Sequence, residues 1–142
     1  MSLVSVLIVD DFEIWKAFVT TFLGNHPRVR IAGFASDGLE AIQKAEELQP
    51  DLILLDISLP NVNGIQAAQQ IRRLVPQARI LFLSCHADPD MVRAAFDVGG
   101  QGYILKWDAS TALWPGMEAV LGGKRFLSAS LGNLDDLIDT AT

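Results

Sequence analysis

Asp51-Leu52-Ile53-Leu54-Leu55-Asp56-Ile57-Ser58-Leu59-Pro60 is the stretch on which the fold turns. An unbroken apolar run, Leu52 to Leu55, stops at a carboxylate, and a proline follows close behind. A run this short, apolar at every position rather than at alternate ones, suits a strand covered on both faces. Strands of that kind belong to parallel sheets. Asp56 then stands at the carboxyl end of its strand, where open α/β sheets keep their ligand sites. Taken alone it is more readily read as a turn residue that caps the next loop. What else reaches the same rim decides between the two.

Upstream, Val4 to Val9 is β-branched and apolar, a buried first strand running into Asp10-Asp11. Phe12, Trp15, Phe18, Val19, Phe22 and Leu23, with Ile14 beside them, recur at helical spacing and predict a core-facing helix. Asp11 is placed to cap it, and Gly24-Asn25-His26-Pro27 is a stop signal. Val29 to Ala35 reads as a second, weaker strand, and Asp37-Gly38 turns into a helix from about Leu39 to Leu48.

Downstream, Asn61-Val62-Asn63-Gly64 is turn chemistry, and a helix runs from Ile65 to Leu74 before Pro76. Arg79 to Ser84 is a fourth strand, and Asp88-Pro89 opens a helix ending near Gly99-Gly100. Gly102 to Lys106 is a fifth strand, and Ser110 to about Leu121 a last helix, with Pro115 in its first turn or kinking it. Strand and helix thus alternate five times. Crossovers of this length predict a doubly wound, five-stranded parallel sheet with helices on both faces. Residues 4–121 make the domain, and 122–142 read as a frayed tail or the start of a linker, with one amphipathic piece at Leu134–Ile138.

Composition narrows the function. The 142 residues are half hydrophobic and one-fifth charged (50% and 20%), which is globular composition. No apolar run is long enough to span a bilayer, and no signal-peptide pattern opens the chain, so the cytoplasm is the expected compartment. A single cysteine, Cys85, excludes an internal disulfide framework and a cysteine-based zinc cluster. A net charge of −6 argues against direct nucleic-acid contact by this domain.

Chemistry converges at the carboxyl ends of the strands. The first supplies Asp10 and Asp11, the third Asp56, the fourth Ser84 and the fifth Lys106. In a doubly wound sheet these ends share one edge. Three carboxylates that close repel one another, and some must bind protons unless a cation intervenes. Carboxylate ligands with remaining water positions suit Mg2+. Asp56 is then able to attack phosphorus as a carboxylate nucleophile, with the Lys106 ammonium and the Ser84 hydroxyl on phosphoryl oxygens. Singly, each of these side chains has an ordinary explanation as a surface lysine or strand-end cap; their joint arrival at separate strand ends does not.

Asp10-Asp11, Asp56 with Pro60 and Gly64 after it, Ser84, and Gly102-Tyr103 leading to Lys106 together resemble the receiver domain of bacterial response regulators, over about residues 4 to 121. The resemblance implies a flavodoxin-like sheet in the order 2-1-3-4-5, with Asp56 as phosphoacceptor. It implies Mg2+ held by Asp10, Asp11, Asp56 and the backbone carbonyl of Ser58. Ser84 and Lys106 would sense the phosphoryl group, and Tyr103 would be the aromatic switch that turns inward with Ser84. Ser58 and His86 fall at positions that tune attack by water, and Cys85 stands where the family keeps a smaller residue. Trp107 replaces the proline that often follows the lysine, which leaves the peptide geometry there open. Implied partners are a sensor histidine kinase and a second copy docked through the fourth helix, fifth strand and fifth helix; no membrane is implied.

Gly122-Gly-Lys-Arg-Phe-Leu-Ser128 resembles the stretch that closes receivers of LuxR-type helix-turn-helix regulators, which implies transcriptional output through a DNA-binding domain outside these residues. Three other readings compete. A Mg2+-dependent phosphohydrolase forming an aspartyl phosphate would want a general acid two residues past its nucleophile, where Ser58 stands. A pseudo-receiver that binds partners without phosphorylation would not need the acidic set. A flavin-binding relative would set carboxylates against a flavin phosphate.

Overall fold

In the computed structural model, which describes residues 3–132, six parallel strands form one sheet in the order β2-β1-β3-β4-β5-β6. The strands are β1 (Val4–Val9), β2 (Val29–Ala35), β3 (Leu52–Leu55), β4 (Arg79–Ser84), β5 (Gly102–Leu105) and β6 (Phe126–Leu127). The helices are α1 (Glu13–Gly24), α2 (Gly38–Leu48), α3 (Gly64–Leu74), α4 (Pro89–Asp97) and α5 (Ala109–Leu121). The first five strands follow the expected order, and the flavodoxin-like α/β class stands. The expectation of five strands is corrected by β6.

Alternation along the strands divides the core in two. Leu7, Val9, Ile53, Leu55, Phe82, Tyr103 and Leu105 face a cluster completed by small residues of α2, α3 and α4. Val6, Ile8, Leu52, Leu54, Leu81 and Ile104 face the other side, against Val19 and Leu23 of α1 and Leu113, Met117 and Val120 of α5. β3 is buried at all four positions, which is why it reads as an apolar run with no alternation.

The helix starts are set locally. Asp37 caps α2 by accepting from Glu40 N–H, and Asp88 caps α4 from Asp90 N–H ahead of Pro89. Asn63 and Gln66 form a reciprocal capping box at α3. Gly64 seats that helix on the end of β3: a Cβ there would stand 2.0 Å from the Asp56 carbonyl oxygen and 2.7 Å from Ile57 Cα. Only glycine allows the approach.

Several expectations are corrected here. Asp11 does not cap α1: Phe12 holds the cap position without a side-chain bond, and the Phe12 N–H goes instead to Asp10 Oδ1 at 2.9 Å. Phe12 and Ile14 are exposed rather than core, because they fall on the outer side of the first turn. Lys106 does not extend β5 but begins a 3-10 turn, Lys106–Asp108. No peptide bond among the described residues is cis, so Lys106–Trp107 is trans. Pro115 lies within α5, beyond its first turn, where it removes the donor to the Thr111 carbonyl.

The stretch beyond 122 is not a frayed tail as far as it is described. Phe126 N–H donates to the Gln101 carbonyl and Ser128 N–H to the Tyr103 carbonyl, both at 3.1 Å, while Leu105 N–H donates to Ser128 Oγ at 3.0 Å. Asp108 accepts from the Ser130 amide and hydroxyl at 3.1 and 2.7 Å, and Leu131 is buried in the core. The backbone amides of Phe126 and Ser128 and the Ser128 hydroxyl satisfy the outer edge of β5. The amphipathic piece Leu134–Ile138 lies outside the described residues.

Candidate functional site

Each strand delivers its polar terminus to the same edge. β1 ends at Val9 and Asp10 follows; β3 ends at Leu55 and Asp56 follows; β4 ends in Ser84, and β5 hands over to Lys106. Asp10, Asp56, Ser84 and Lys106 are all buried, whereas Asp11 is exposed. Lys106 Nζ donates to Asp10 Oδ2 at 2.8 Å and to Asp56 Oδ2 at 3.3 Å. The other Asp56 oxygen accepts from Ile57 N–H at 2.8 Å.

Carboxylate oxygens of Asp10, Asp11 and Asp56 all lie within 4.8 Å of one another, the one such cluster among the described residues. Burial, and then the charge of Asp10, push the Asp56 carboxyl above its ordinary value; Lys106 and the Ile57 amide oppose this without cancelling it. Burial alone would lower the Lys106 ammonium, but hydrogen bonds and charge from Asp10 and Asp56 outweigh it and hold it above the usual lysine value. The cluster is therefore short of positive charge: two buried acids share one ammonium, and a third acid stands at the mouth. An all-oxygen donor set of this kind fits a hard divalent cation.

A cavity of about 220 Å3 opens beside it, bounded by Asp11, Asp56, Ser58, Cys85, His86 and Lys106. Ser58 and Cys85 are exposed on its walls. Ser58 Oγ and His86 Nε2 hydrogen-bond to each other across the opening, at 2.5 Å. His86 also joins two other predicted residues: its N–H donates to Ser84 Oγ at 3.1 Å, and its carbonyl accepts from Tyr103 Oη at 2.7 Å. Tyr103 is fully buried, its ring 6.1 Å from that of Phe82. Burial, reinforced by the charges of Asp56 and Asp88 and opposed by the Ser84 hydroxyl, pushes its phenol up to about 12.

Of the residues predicted for the site, Asp11, Asp56, Ser58, Cys85, His86 and Lys106 line the cavity, while Asp10 joins them through Lys106, and Ser84 and Tyr103 through the His86 backbone. The sequence reading did not find that His86 links Ser84 to Tyr103, because those two bonds run through its backbone amide and carbonyl. It also placed Trp15 only in a core stripe, whereas the Lys106 ammonium lies over the Trp15 ring, 5.0 Å from its centroid. No spacing rule links positions 15 and 106.

A doubly wound parallel sheet with buried acids and a lysine at its carboxyl rim defines a class of α/β proteins whose ligand site lies at the topological switch point. Within that class this chain belongs to the response regulator receiver domain family, whose model matches residues 6–113. It is 37% identical over 103 residues to the response regulator protein VraR of Staphylococcus aureus, covering 72% of this chain and 49% of that protein. The chain thus spans about half the length of the curated relatives it matches.

Among solved structures, a LuxR-family two-component response regulator from Aurantimonas sp. SI85-9A1 superposes with a TM-score of 0.88 at 28% identity, covering 99% of this chain and 98% of that one. The isolated receiver of RcsB from Salmonella enterica serovar Typhimurium, solved with phosphomimetic BeF3-, superposes with a TM-score of 0.86 at 26% identity, covering 94% and 99%. This is a two-component receiver with relatives of LuxR type, a signalling switch rather than a classical enzyme. No helix among the described residues is long and apolar enough to cross a membrane.

Proposed function

We propose that Asp56 is the phosphoacceptor, that Mg2+ bound by Asp10, Asp11, Asp56 and the Ser58 carbonyl supports the transfer, and that a sensor histidine kinase is the donor. The observation that carries this reading is the charge balance at Asp56, a buried carboxylate facing Asp10 with one shared ammonium between them. Bound Mg2+ supplies the further positive charge against which phosphoryl oxygens can approach.

In the transfer an Asp56 carboxylate oxygen forms a bond to phosphorus as the phosphorus–nitrogen bond of a phosphohistidine breaks, and the imidazole takes up a proton. From a small acyl phosphate, the bond to the bridging oxygen breaks instead and a carboxylate leaves. Lys106, already at hydrogen-bond distance from Asp56, turns to a phosphoryl oxygen, and Ser84 gives up its bond from the His86 amide to donate to another. Because the His86 carbonyl also holds Tyr103, movement of Ser84 reaches the Tyr103 ring through one residue. The phosphorylated state is selected by these differential contacts.

Ser58, His86 and Cys85 line the water's approach and set the rate of slow autodephosphorylation, with no general acid at position 58 to make a phosphohydrolase. Output passes through the face of α4, β5 and α5, to a second copy and to a DNA-binding domain of a longer regulator in the cytoplasm. The domain itself does not grip nucleic acid, given its net charge of −6. Incubation with Mg2+ and acetyl phosphate tests the assignment by intact mass. One phosphoryl group is expected on the native chain and none on Asp56→Asn; gain on the variant would refute Asp56 as acceptor.

A further inference from the structure

We infer that Trp15 is a positioning residue for the phosphoryl-binding lysine: its indole face holds the Lys106 ammonium beside Asp56. The inference rests on the reading of Lys106 given above and extends it to a residue outside the acidic set.

Lys106 Nζ has neighbours of two kinds, the carboxylates of Asp10 at 2.8 Å and Asp56 at 3.3 Å, and the Trp15 ring at 5.0 Å from its centroid. That last distance is within the range where a cation is drawn to the negative face of an aromatic ring, and tryptophan offers the strongest such face. The ring is fixed in place. Trp15 lies in the first turn of α1, half-buried, with Phe18 set edge-on against it at 5.3 Å and 78°. Phe18 in turn packs on Phe22, 6.0 Å away, so the platform is backed by the aromatic stripe of α1.

An indole does there what a carboxylate would do badly. A divalent ion held by Asp10 would compete with the ammonium for that carboxylate, and a further acid beside Lys106 would repel the incoming phosphoryl oxygens. A neutral π face attracts the ammonium without adding negative charge to a pocket that must admit a phosphoryl group. It also shields one side of the lysine from water, which strengthens the remaining electrostatic contacts. Trp15 is neither a lining residue of the cavity nor one of the candidate metal ligands, and its indole meets the site at Lys106.

The test pairs a rate with a thermodynamic cycle. With Mg2+ and acetyl phosphate, Trp15→Leu should phosphorylate about fivefold more slowly than the native chain, and Trp15→Phe, which keeps a π face, should stay within about twofold. In chelator, Trp15→Leu should lower the urea midpoint more in the native background than in Lys106→Met, where no ammonium remains to hold. Equal rates for Trp15→Leu and the native chain, or the same midpoint loss in both backgrounds, would overturn the inference. If the native chain takes up no phosphate, the phosphoacceptor reading fails; the cycle still reports whether Trp15 holds Lys106.

Discussion

Replacing Lys106 by methionine isolates the electrostatics of the site. The change keeps most of the stem and removes the charge that Asp10 and Asp56 share. Both acids have about 5% or less of their surface exposed, so neither is easily re-solvated. Deleting one partner of a buried ion pair costs about 3–5 kcal/mol. The rim cavity admits water and Asp56 can take a proton, so about 2 kcal/mol is the expected loss at pH 7.5 in chelator. With a urea dependence of about 2 kcal/mol/M, the midpoint should fall by about 1 M.

Two further measurements give this number its cause. As pH falls through the raised titration of Asp56 the protonated acid no longer needs the ammonium, so the gap between variant and native chain should narrow. Mg2+ at about 100 times its dissociation constant should restore about 2.7 kcal/mol to the variant, and should stabilise the native chain less, because there it competes with Lys106 for Asp10. A midpoint in chelator within about 0.3 M of native, roughly a 0.6 kcal/mol effect, would refute the charge-balance reasoning. So would equal stabilisation of both proteins by Mg2+.

Tyr103→Phe should cost about 1 kcal/mol at neutral pH, since the His86 carbonyl loses its 2.7 Å donor. The buried phenol titrates near 12 against an ordinary 10, so the folded state keeps its proton longer than the unfolded chain. Native stability should therefore fall as pH rises from 10 towards 12, and the phenylalanine variant, followed by circular dichroism, should lack that component. Ser130→Ala removes the 2.7 Å bond to Asp108, and exchange of the Ser130 amide should accelerate about fivefold; an unchanged rate would mean the segment after α5 is held some other way. Gly64→Ala should leave little folded protein at 37 °C, because its Cβ would meet the Asp56 carbonyl oxygen at 2.0 Å; soluble expression with a native circular dichroism spectrum would count against the seating of α3 on β3.

Much of this protein was legible without coordinates, for local reasons. The apolar run 52–55 and the β-branched run 4–9 announce buried strands because burial on both faces removes alternation. The Asp37 and Asp88 caps act within three residues of themselves, so their partners are visible in the same short window. Asp10, Asp56, Ser84 and Lys106 could be brought to one rim from topology alone, since parallel strands joined by helices all end on the same edge.

Tertiary structure decided what depends on contacts between distant positions. It gave Asp10 rather than Asp11 the job of holding the start of α1, because the strand end leaves Asp10 beside the Phe12 amide. It made Phe126–Leu131 part of the fold, since a two-residue strand has no period of its own and exists only where β5 has an open edge. It put His86 between Ser84 and Tyr103, and the Trp15 ring against Lys106, 91 positions apart by subtraction of their numbers. Periodicity and capping are properties of neighbours in the chain; ion pairing and aromatic contact are properties of neighbours in space, which only the closed sheet creates.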